Sequence, residues 1–442
     1  MAPSQDRLSS LPDAVIGQIF SFLPFEDAVR TSVLSKRWKH HWTSVPHLEF
    51  FEDNFDRRPW RQMMRPLLVS SGVSEWDEFT KLNFVAMVDR CLLLHCSSIQ
   101  SVRLRFNPAG GHASTIERWT HQLISKKQIR ALDLDLCNGN STAERTSGSF
   151  PLLWDAGGFS PCLRSLTLRN VSLSGDAIIT LLRGFNCLER LCLECCSTVM
   201  RHDLVIGGGS QQLQLESFRM VKCKGWKGLE IDAPNLRSLE YIDMVRPWRR
   251  VNLPSLSVAI LDFDECDDDE GSIEDVVNLL ADLTHVKSLS VSPAAFWALS
   301  NGESVQEALS NGFHNLKQLT LMAALFEEEL GGFLVLLSNC HRLQMLTIND
   351  SSYCRLPQWD AWRKHDVHGC LVHHLKTVKV NSFAGSDGET LFVKFLLENA
   401  AVLEYLVIKI ARWRLNEVDT LDIANKLLAL PRSSISAKIM VS

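Results

Sequence analysis

The sequence lacks the features that mark secreted, membrane-bound and nucleic-acid-binding proteins. Met1–Asp6 carry no basic segment followed by an apolar run, so no signal peptide is expected. The longest apolar stretches, such as Phe333–Leu337, are far too short to span a bilayer. The formal net charge of −5 lacks the positive excess of a nucleic-acid-binding protein, and the Arg-Trp mixtures at Arg57–Arg65 and Arg246–Arg250 are more typical of loop surface. A protein of the cytoplasm, the nucleus or both is predicted, with no membrane and no nucleic acid as partner.

Fingerprints of catalysis are missing as well. No G-x-S-x-G, H-E-x-x-H or dinucleotide-binding motif occurs, and Gly207–Gly209 lack the Lys-Ser/Thr pair of a phosphate-binding loop. The 13 cysteines are odd in number and scattered, which predicts reduced thiols. We therefore expect no catalytic residue, no metal and no cofactor.

Three local clusters contain metal-ligand residue types, but each has a plainer interpretation. His365–His374 contain four histidines and one cysteine, at a spacing that matches no closed zinc site. Cys192, Cys195 and Cys196 fit better as small apolar side chains beside core leucines. The acidic run Asp262–Glu270 lacks the ligand order of an EF-hand and predicts a solvated loop.

One apolar pattern recurs along the second two-thirds of the chain: an apolar residue, two others, an apolar residue, one other and an apolar residue. Its clearest copies are Leu163-Leu166-Leu168, Leu188-Leu191-Leu193, Leu215-Phe218-Met220, Leu316-Leu319-Leu321, Leu343-Leu346-Ile348, Leu375-Val378-Val380 and Leu403-Leu406-Ile408. Weaker copies are Ile99-Val102-Leu104, Ile129-Leu132-Leu134, Leu256-Ala259-Leu261 and Val286-Leu289-Val291. Neighbouring copies lie roughly 20 to 34 residues apart, near the leucine-rich-repeat period. Each copy predicts a short strand with one apolar side.

A helical segment precedes four of these strands in a fixed register. The apolar pairs on those segments are Ile178 and Leu182, Val276 and Leu280, Phe333 and Leu337, and Val393 and Leu397. Residues four apart share a helix face, so each unit has an apolar helix face and an apolar strand side. Neither can be buried alone, and stacked units would share one continuous core. The predicted fold class is an α/β solenoid, a curved leucine-rich-repeat array of helix–strand units.

The first 46 residues follow a different pattern. Apolar residues at spacings of three and four mark one helix face: Leu11, Val15, Ile16, Ile19, Phe20 and Leu23. Pro12 suits the first helical turn and Pro24 ends the run. A second helix is predicted from about Glu26 to Leu34, and a third carries Trp38. Three such short helices form a very small domain that leaves apolar surface for a partner.

Both ends of the chain resemble a known plant family. The stretch LSSLPDAVIGQIFSFLPFEDAVRTSVLSKRWKHHW resembles the F-box, with Ser35 where F-boxes outside this plant group often have Cys. Phe84–Phe106 resembles the helix that leads into the repeats of these proteins. Cys370–Ile410, which includes HLKTVKV, Phe383, Gly385 and Glu389, resembles the FBD region that closes many plant F-box/leucine-rich-repeat proteins.

The resemblance implies four regions along the chain. They are an F-box at residues 8–46, a linker with its helix at 47–97, leucine-rich repeats at 98–369 and FBD-like repeats at 370–431.

The resemblance also implies a function, that of the substrate-recognition subunit of an SCF-type (Skp–cullin–F-box) ubiquitin ligase. In this family the F-box binds a Skp-type adaptor on a cullin scaffold, and the repeats hold a protein substrate. Carried over by position, the adaptor-binding residues are Leu11, Pro12, Ile16, Ile19, Leu23, Pro24, Val29, Leu34 and Trp38. The same residues also suit the core of a self-contained three-helix bundle.

Other function classes stay open. The chain could be a non-ligase interaction scaffold, and an enzyme is disfavoured because no catalytic constellation is assembled. A hormone or polyphosphate receptor would need a basic cluster on the concave face, for which Arg169, Arg219 and Arg237 are too few. The identity of the protein substrate is unknown from the sequence.

Overall fold

A computed structural model describes residues 10–31, 34, 36–55, 76–107, 112–126, 128–136, 162–173, 177–198, 201–207, 213–264, 270–322, 329–349, 369–411 and 417–442. The chain divides into two compact units. Unit 1 comprises Met1–Leu215 and Cys223–Trp226, and unit 2 comprises Glu216–Lys222 and Lys227–Ser442. Within the described residues, no helix is long and apolar enough to cross a membrane.

Unit 1 combines short helices with a parallel sheet. Its helices are α1 (Asp13–Ser21), α2 (Phe25–Thr31), a 3-10 helix (Trp38–Ser44), α3 (Glu52–Phe55), α4 (Trp76–Leu94), α5 (Ala113–His121), a π-helical turn (Gln122–Lys126) and α6 (Ala177–Gly184). Its strands are β1 (His47–Phe51), β2 (Ser101–Arg105), β3 (Ala131–Asp135), β4 (Ser165–Arg169), β5 (Arg190–Glu194) and β6 (Leu204–Ile206). Strands β1 to β5 pair in chain order, all parallel and without a shift in register.

Unit 2 repeats the same arrangement. Its helices are α7 (Glu270–Asp282), α8 (Pro293–Asn301), α9 (Val305–Ala308), α10 (Leu330–Asn339), α11 (Gly369–His373), α12 (Asp387–Asn399) and α13 (Glu417–Leu428). Its strands are β7 (Ser217–Val221), β8 (Leu229–Asp232), β9 (Ser238–Asp243), β10 (Trp248–Asn252), β11 (Val258–Phe263), β12 (Ser288–Val291), β13 (Gln318–Leu321), β14 (Met345–Ile348), β15 (Thr377–Phe383), β16 (Tyr405–Ile410) and β17 (Lys438–Val441). Strands β7, β9 and β11 to β17 form a parallel sheet in chain order, and β8 pairs with β10.

The recurring apolar pattern forms the core of both sheets. In every copy the second and third apolar residues lie in a strand, the first lies just before it, and all three are buried. Burying one aliphatic side chain contributes about 1.5–3 kcal/mol, so each copy supplies a substantial share of the stabilising energy. A mixed α/β fold with parallel strands is therefore confirmed.

The predicted helix register is also present. The paired residues Ile178 and Leu182, Val276 and Leu280, Phe333 and Leu337, and Val393 and Leu397 lie in α6, α7, α10 and α12, and all are buried. Each of these helices therefore buries an apolar face, as two apolar residues four apart require. The other side of each strand carries the less buried, mostly polar residues.

Helices α8 and α10 of unit 2 pack closely through a glycine. A Cβ atom added at Gly332 would lie 1.9 Å from the carbonyl oxygen of Phe296. The Gly332 amide donates to Ser300 Oγ at 2.7 Å, and the rings of Phe296 and Phe333 meet edge to face with centroids 5.8 Å apart. Only a residue without a side chain allows this backbone approach.

Several strands have no counterpart in the sequence prediction. These are β1, β6, β8, β9, β10 and β17. Strand β9 follows the repeat pattern as Leu236-Leu239-Tyr241, with a buried tyrosine in the third position. Strands β8 and β10 lie outside the main sheet of unit 2 and pair with each other, so the pattern that identifies sheet strands does not apply to them.

Candidate functional site

The N-terminal helices pack around a small aromatic core. Phe20 of α1 lies edge to face against Trp38, with ring centroids 5.7 Å apart. Phe25 of α2 meets Trp42 at 6.2 Å and Phe50 of strand β1 at 5.3 Å. Edge-to-face pairs add about 0.5–1.5 kcal/mol to the burial of the rings. The three helical segments thus have a core of their own that is continuous with the first strand.

Polar contacts fix the ends of the helices in this module. Pro12 is the N-cap of α1, one position earlier than predicted, and its carbonyl accepts from the amides of Val15 and Ile16. Arg37 donates to the Asp13 carboxylate through Nε at 3.0 Å and Nη2 at 2.6 Å. This ion pair joins the approach to the 3-10 helix to the first turn of α1. The second helix ends at Thr31, earlier than the predicted Leu34.

Helix α1 has two neighbouring apolar stripes instead of one apolar face. The inward stripe consists of Ile16 and Phe20, both 0% exposed. The outward stripe, called here the α1 stripe, consists of Pro12, Val15, Ile19 and Phe22, spaced by three, four and three residues. Phe22 is 81% exposed, and Val15 and Ile19 are 39% and 37% exposed. Helices that bind in apolar grooves present anchors at this spacing.

The structure separates the nine residues predicted to bind an adaptor. Pro12, Ile19, Pro24 and Leu34 are exposed, Leu11, Leu23 and Trp38 are half-buried, and Ile16 and Val29 are buried. The last two supply the module core, and a contact role for any of the nine stays a prediction. Trp38 Nε1 is enclosed and has no hydrogen-bond partner among the residues that the structure describes.

Two exposed apolar residues were missing from the predicted set. Val15 was assigned to the helix face but not to the contact surface, and Phe22 was not assigned at all. Their spacing from Pro12 and Ile19 was visible in the sequence. Periodicity alone does not show which stripe faces the core of the module, because Val15 and Ile16 are adjacent and equally apolar.

The module is joined to the sheet of unit 1 through the main chain. Strand β1 follows the 3-10 helix directly and pairs with all five residues of β2. The Cys96 amide donates to the Thr43 carbonyl at 3.2 Å, and Nε2 of buried His95 lies 2.8 Å from the Val45 carbonyl oxygen. These bonds hold the α1 stripe in a defined position relative to β1 and β2.

The residues that carry the FBD resemblance have structural roles in unit 2. Phe383 ends β15 and is fully buried. Gly385 has φ +79°, and a Cβ there would lie 2.5 Å from Ile423 Cδ1. Glu389 is 2% exposed and accepts from the amides of Ala384 at 3.1 Å and Ser386 at 2.8 Å, in a capping box at the start of α12. These residues fix the turn from strand to helix.

The three arginines that are too few to predict a basic pocket are paired with carboxylates. Arg169 bonds to Asp133 and to Glu194, the latter at 3.0 Å. Partial burial disfavours its charged form, but the bonds to both carboxylates outweigh this and raise the pKa of the guanidinium. In unit 2 Arg219 pairs with Glu240 at 2.7 Å and Arg237 lies 3.9 Å from Glu216. These three side chains do not form a free cationic cluster.

The cysteine, histidine and acidic clusters noted in the sequence show little of the arrangement that a metal site requires. Cys196 is buried and its thiol donates to the Leu168 carbonyl at 3.2 Å, while Cys192 and Cys195 are half-buried. Over the part of the chain that the structure describes, no three His, Cys, Asp or Glu residues could hold a metal ion. Residues 57–65, 265–269 and 365–368 of the predicted clusters, and 208–209 of the glycine run, lie outside the described residues.

The sequence comparisons match both ends of the chain. The F-box domain family matches residues 8–50, and the FBD family matches residues 364–408. An F-box/FBD/LRR-repeat protein of Arabidopsis thaliana is 24% identical over 471 residues, covering 99% of this chain and 95% of that protein. An FBD-associated F-box protein of the same plant is 25% identical, covering 99% and 96%. An Arabidopsis F-box protein is 28% identical, covering 89% and 86%.

The chain therefore has an F-box domain match on a small helical module with an exposed apolar stripe, and an FBD match in its C-terminal part. Its similarity to plant F-box/FBD/LRR-repeat proteins extends over nearly the whole chain, and the resemblance predicted from the sequence is confirmed.

Proposed function

We propose that this chain is the substrate-recognition subunit of an SCF-type ubiquitin ligase. The α1 stripe and the neighbouring F-box residues bind a Skp-type adaptor, which is held by a cullin scaffold. The helix–strand units form a curved leucine-rich-repeat solenoid that binds a protein substrate. The observation that carries the proposal is the α1 stripe, an exposed apolar surface on a module that matches the F-box domain.

The exposed apolar surface supports docking on a protein groove. Soluble proteins rarely leave large apolar side chains clustered unless a partner covers them. Phe22 is 81% exposed and Leu34 is 73% exposed, so both would gain free energy on burial.

The proposed role requires positioning and no chemistry from this chain. Holding a substrate near a ubiquitin-conjugating enzyme raises its effective concentration, and a defined geometry makes that gain larger. The continuous pairing of β1 with β2 and the bonds at Thr43 and Val45 support such a geometry within unit 1. The proposal includes action in the cytoplasm, the nucleus or both.

Co-purification with a Skp-type adaptor tests the proposal. The full-length chain is expected to elute with the adaptor, and a variant carrying Leu11→Ala, Pro12→Ala and Ile19→Ala is expected to lose it. All three residues are exposed or half-buried, so the variant should fold. Since an anchor residue of an interface contributes about 2 kcal/mol or more, loss of even one should lower the affinity by about thirtyfold.

The matched control replaces an exposed leucine outside the F-box. Leu93 in α4 is 78% exposed, and Leu93→Ala is expected to leave adaptor binding unchanged. If the intact, folded chain binds no Skp-type adaptor, the ligase assignment is wrong and a scaffold function remains. If the chain binds the adaptor but promotes no ubiquitination of any partner, the scaffold interpretation is also the better one.

A further inference from the structure

The outward side of the unit 2 sheet changes in chemical character along its length. At its start, Arg219 of β7 and Glu240 of β9 form an ion pair at 2.7 Å. From β12 to β17, the outward-pointing strand residues are Ser, Thr, Asn, Gln, Met, Val, Tyr and Lys, and none is a carboxylate. The C-terminal strands of this sheet therefore present a face with positive charge only.

The charge comes from three lysines on adjacent strands. Lys379 lies on β15, Lys409 on β16 and Lys438 on β17, and all three are exposed. Lys379 and Lys409 form no ion pair with any residue that the structure describes. Nζ of Lys438 lies 5.9 Å from the ring centroid of Tyr405, which is 39% exposed. These four residues are called here the lysine face.

Several other cations in or beside the strands pair with carboxylates of the protein itself. Arg103 of β2 bonds to Glu49 at 3.1 Å and to Asp133 at 3.2 Å. Lys376, just before β15, bonds to Glu404 at 2.8 Å. Exposed ion pairs stabilise the fold little, but they remove free charge from a surface. The lysine face retains its free charge, and a partner can supply the missing carboxylates.

The strand register sets the spacing of the lysine face. Lys379 is opposite Val407, and Lys409 is two residues beyond Val407 on the same strand. Adjacent strands are about 4.8 Å apart and alternate residues about 6.7 Å apart, so the two backbone positions are separated by about 8 Å. Side chains on one side of an extended peptide repeat at about the same interval.

We propose that the lysine face binds an extended acidic peptide segment of the protein substrate, an inference that rests on the proposed function. Carboxylates at alternate positions of the peptide would pair with Lys379 and Lys409. Tyr405 and Met440, which is 46% exposed, supply apolar contact beside the charges.

A peptide fits this face better than a nucleic acid does. Nucleic-acid binding depends on many phosphate contacts. A protein whose affinity falls steeply with salt concentration makes about 6–10 of them. The lysine face offers three ammonium groups and no arginine, on a chain with a formal net charge of −5. The small area and the positive charge of the lysine face suit a short run of acidic side chains.

Fluorescence anisotropy on the full-length protein tests the inference. The probe is a fluorescein-labelled peptide of alternating glutamate and serine, and the reference probe has glutamine in place of glutamate. The glutamate peptide is expected to bind in a salt-dependent manner and the glutamine peptide to bind much more weakly. Reversing two charges in K379E/K409E should weaken binding by about tenfold, since each exposed pair is worth up to about 1 kcal/mol.

The control variant is K317E/K426E, which makes the same charge change at two exposed lysines outside the lysine face. It should change the affinity by less than about twofold, because screening weakens charges beyond the Debye length. Equal binding of the two peptides, or no loss in K379E/K409E, would overturn the inference. Displacement of the glutamate peptide by an oligothymidylate that binds more tightly would overturn it in favour of a nucleic acid. Adaptor co-purification of the same variant is measured separately, so failure of the lysine face leaves the F-box proposal standing.

Discussion

Gly332→Ala is expected to lower the free energy of unfolding of unit 2 by about 2 kcal/mol or more. The added Cβ would lie 1.9 Å from the Phe296 carbonyl oxygen, and a backbone atom cannot move aside without shifting α8 against α10. A backbone clash this close lies at the upper end of the overpacking cost, about 3 kcal/mol or more, and replacing a helical glycine with alanine offsets only about 1 kcal/mol, which leaves a net loss of about 2 kcal/mol. The apparent melting temperature should fall by roughly 4–8 °C.

The neighbouring glycine provides a control within the same helix. A Cβ at Gly331 would lie 3.2 Å from Ser300 Oγ, a contact that a small shift of this side chain relieves without breaking its hydrogen bond from the Gly332 amide. Gly331→Ala is therefore expected to change the melting temperature little, because the gain in helix propensity offsets the adjustment of Ser300. Equal effects of the two substitutions in thermal denaturation would show that the close approach of α8 and α10 is not as described.

Glu389→Ala is expected to destabilise unit 2 by about 2–3 kcal/mol. The buried carboxylate accepts from the amides of Ala384 and Ser386 and from Ser386 Oγ, at 3.1, 2.8 and 2.9 Å. Hydrogen bonds to a charged group contribute about 1.5–3 kcal/mol each, and loss of a cap costs about 0.5–2 kcal/mol. Part of this cost is regained because water can reach the freed amides. Thermal denaturation followed by circular dichroism measures the difference.

A less buried glutamate of the same helix is the matched control. The Oε1 atom of Glu398 lies 3.8 Å from Nζ of Lys394, one helical turn away. The Glu398 side chain is about one-third exposed. Glu398→Ala should cost no more than about 0.5 kcal/mol. If Glu389→Ala is as stable as Glu398→Ala, the capping box does not stabilise the turn, and the glutamate would need a role in binding instead.

The sheet strands with the apolar repeat could be predicted because their chemistry is local. Each strand needs two inward-pointing apolar residues two positions apart and another apolar residue before them. The sequence alone shows this spacing. Strand β9 was not predicted because Tyr241 occupies a position of the repeat that is usually aliphatic. Strands β8 and β10 were not predicted because they pair with each other outside the main sheet, and their residues do not follow the apolar repeat. Their placement depends on tertiary contacts that periodicity does not record.

The F-box surface could be predicted only in part for a different reason. Spacing identified α1 and its apolar residues, but two stripes one residue apart have the same hydrophobic pattern. Ile16 is buried and Val15 is exposed because Ile16 shares the side of α1 on which Phe20 packs against Trp38. The FBD residues were recognised by resemblance, whereas the positive φ of Gly385 and the buried bonds of Glu389 became visible only in three dimensions.

Hydrogen exchange of the full-length chain, measured with and without an equimolar Skp-type adaptor, tests the central claim most directly. The adaptor is expected to slow exchange in peptides from α1, α2 and the 3-10 helix, with the strongest protection around Ile19 and Phe22. Peptides from β12 to β17 should exchange at the same rate in both samples. Protection confined to the sheet strands, or no protection anywhere in the F-box of the folded chain, would contradict the claim that the α1 stripe is the adaptor-binding surface.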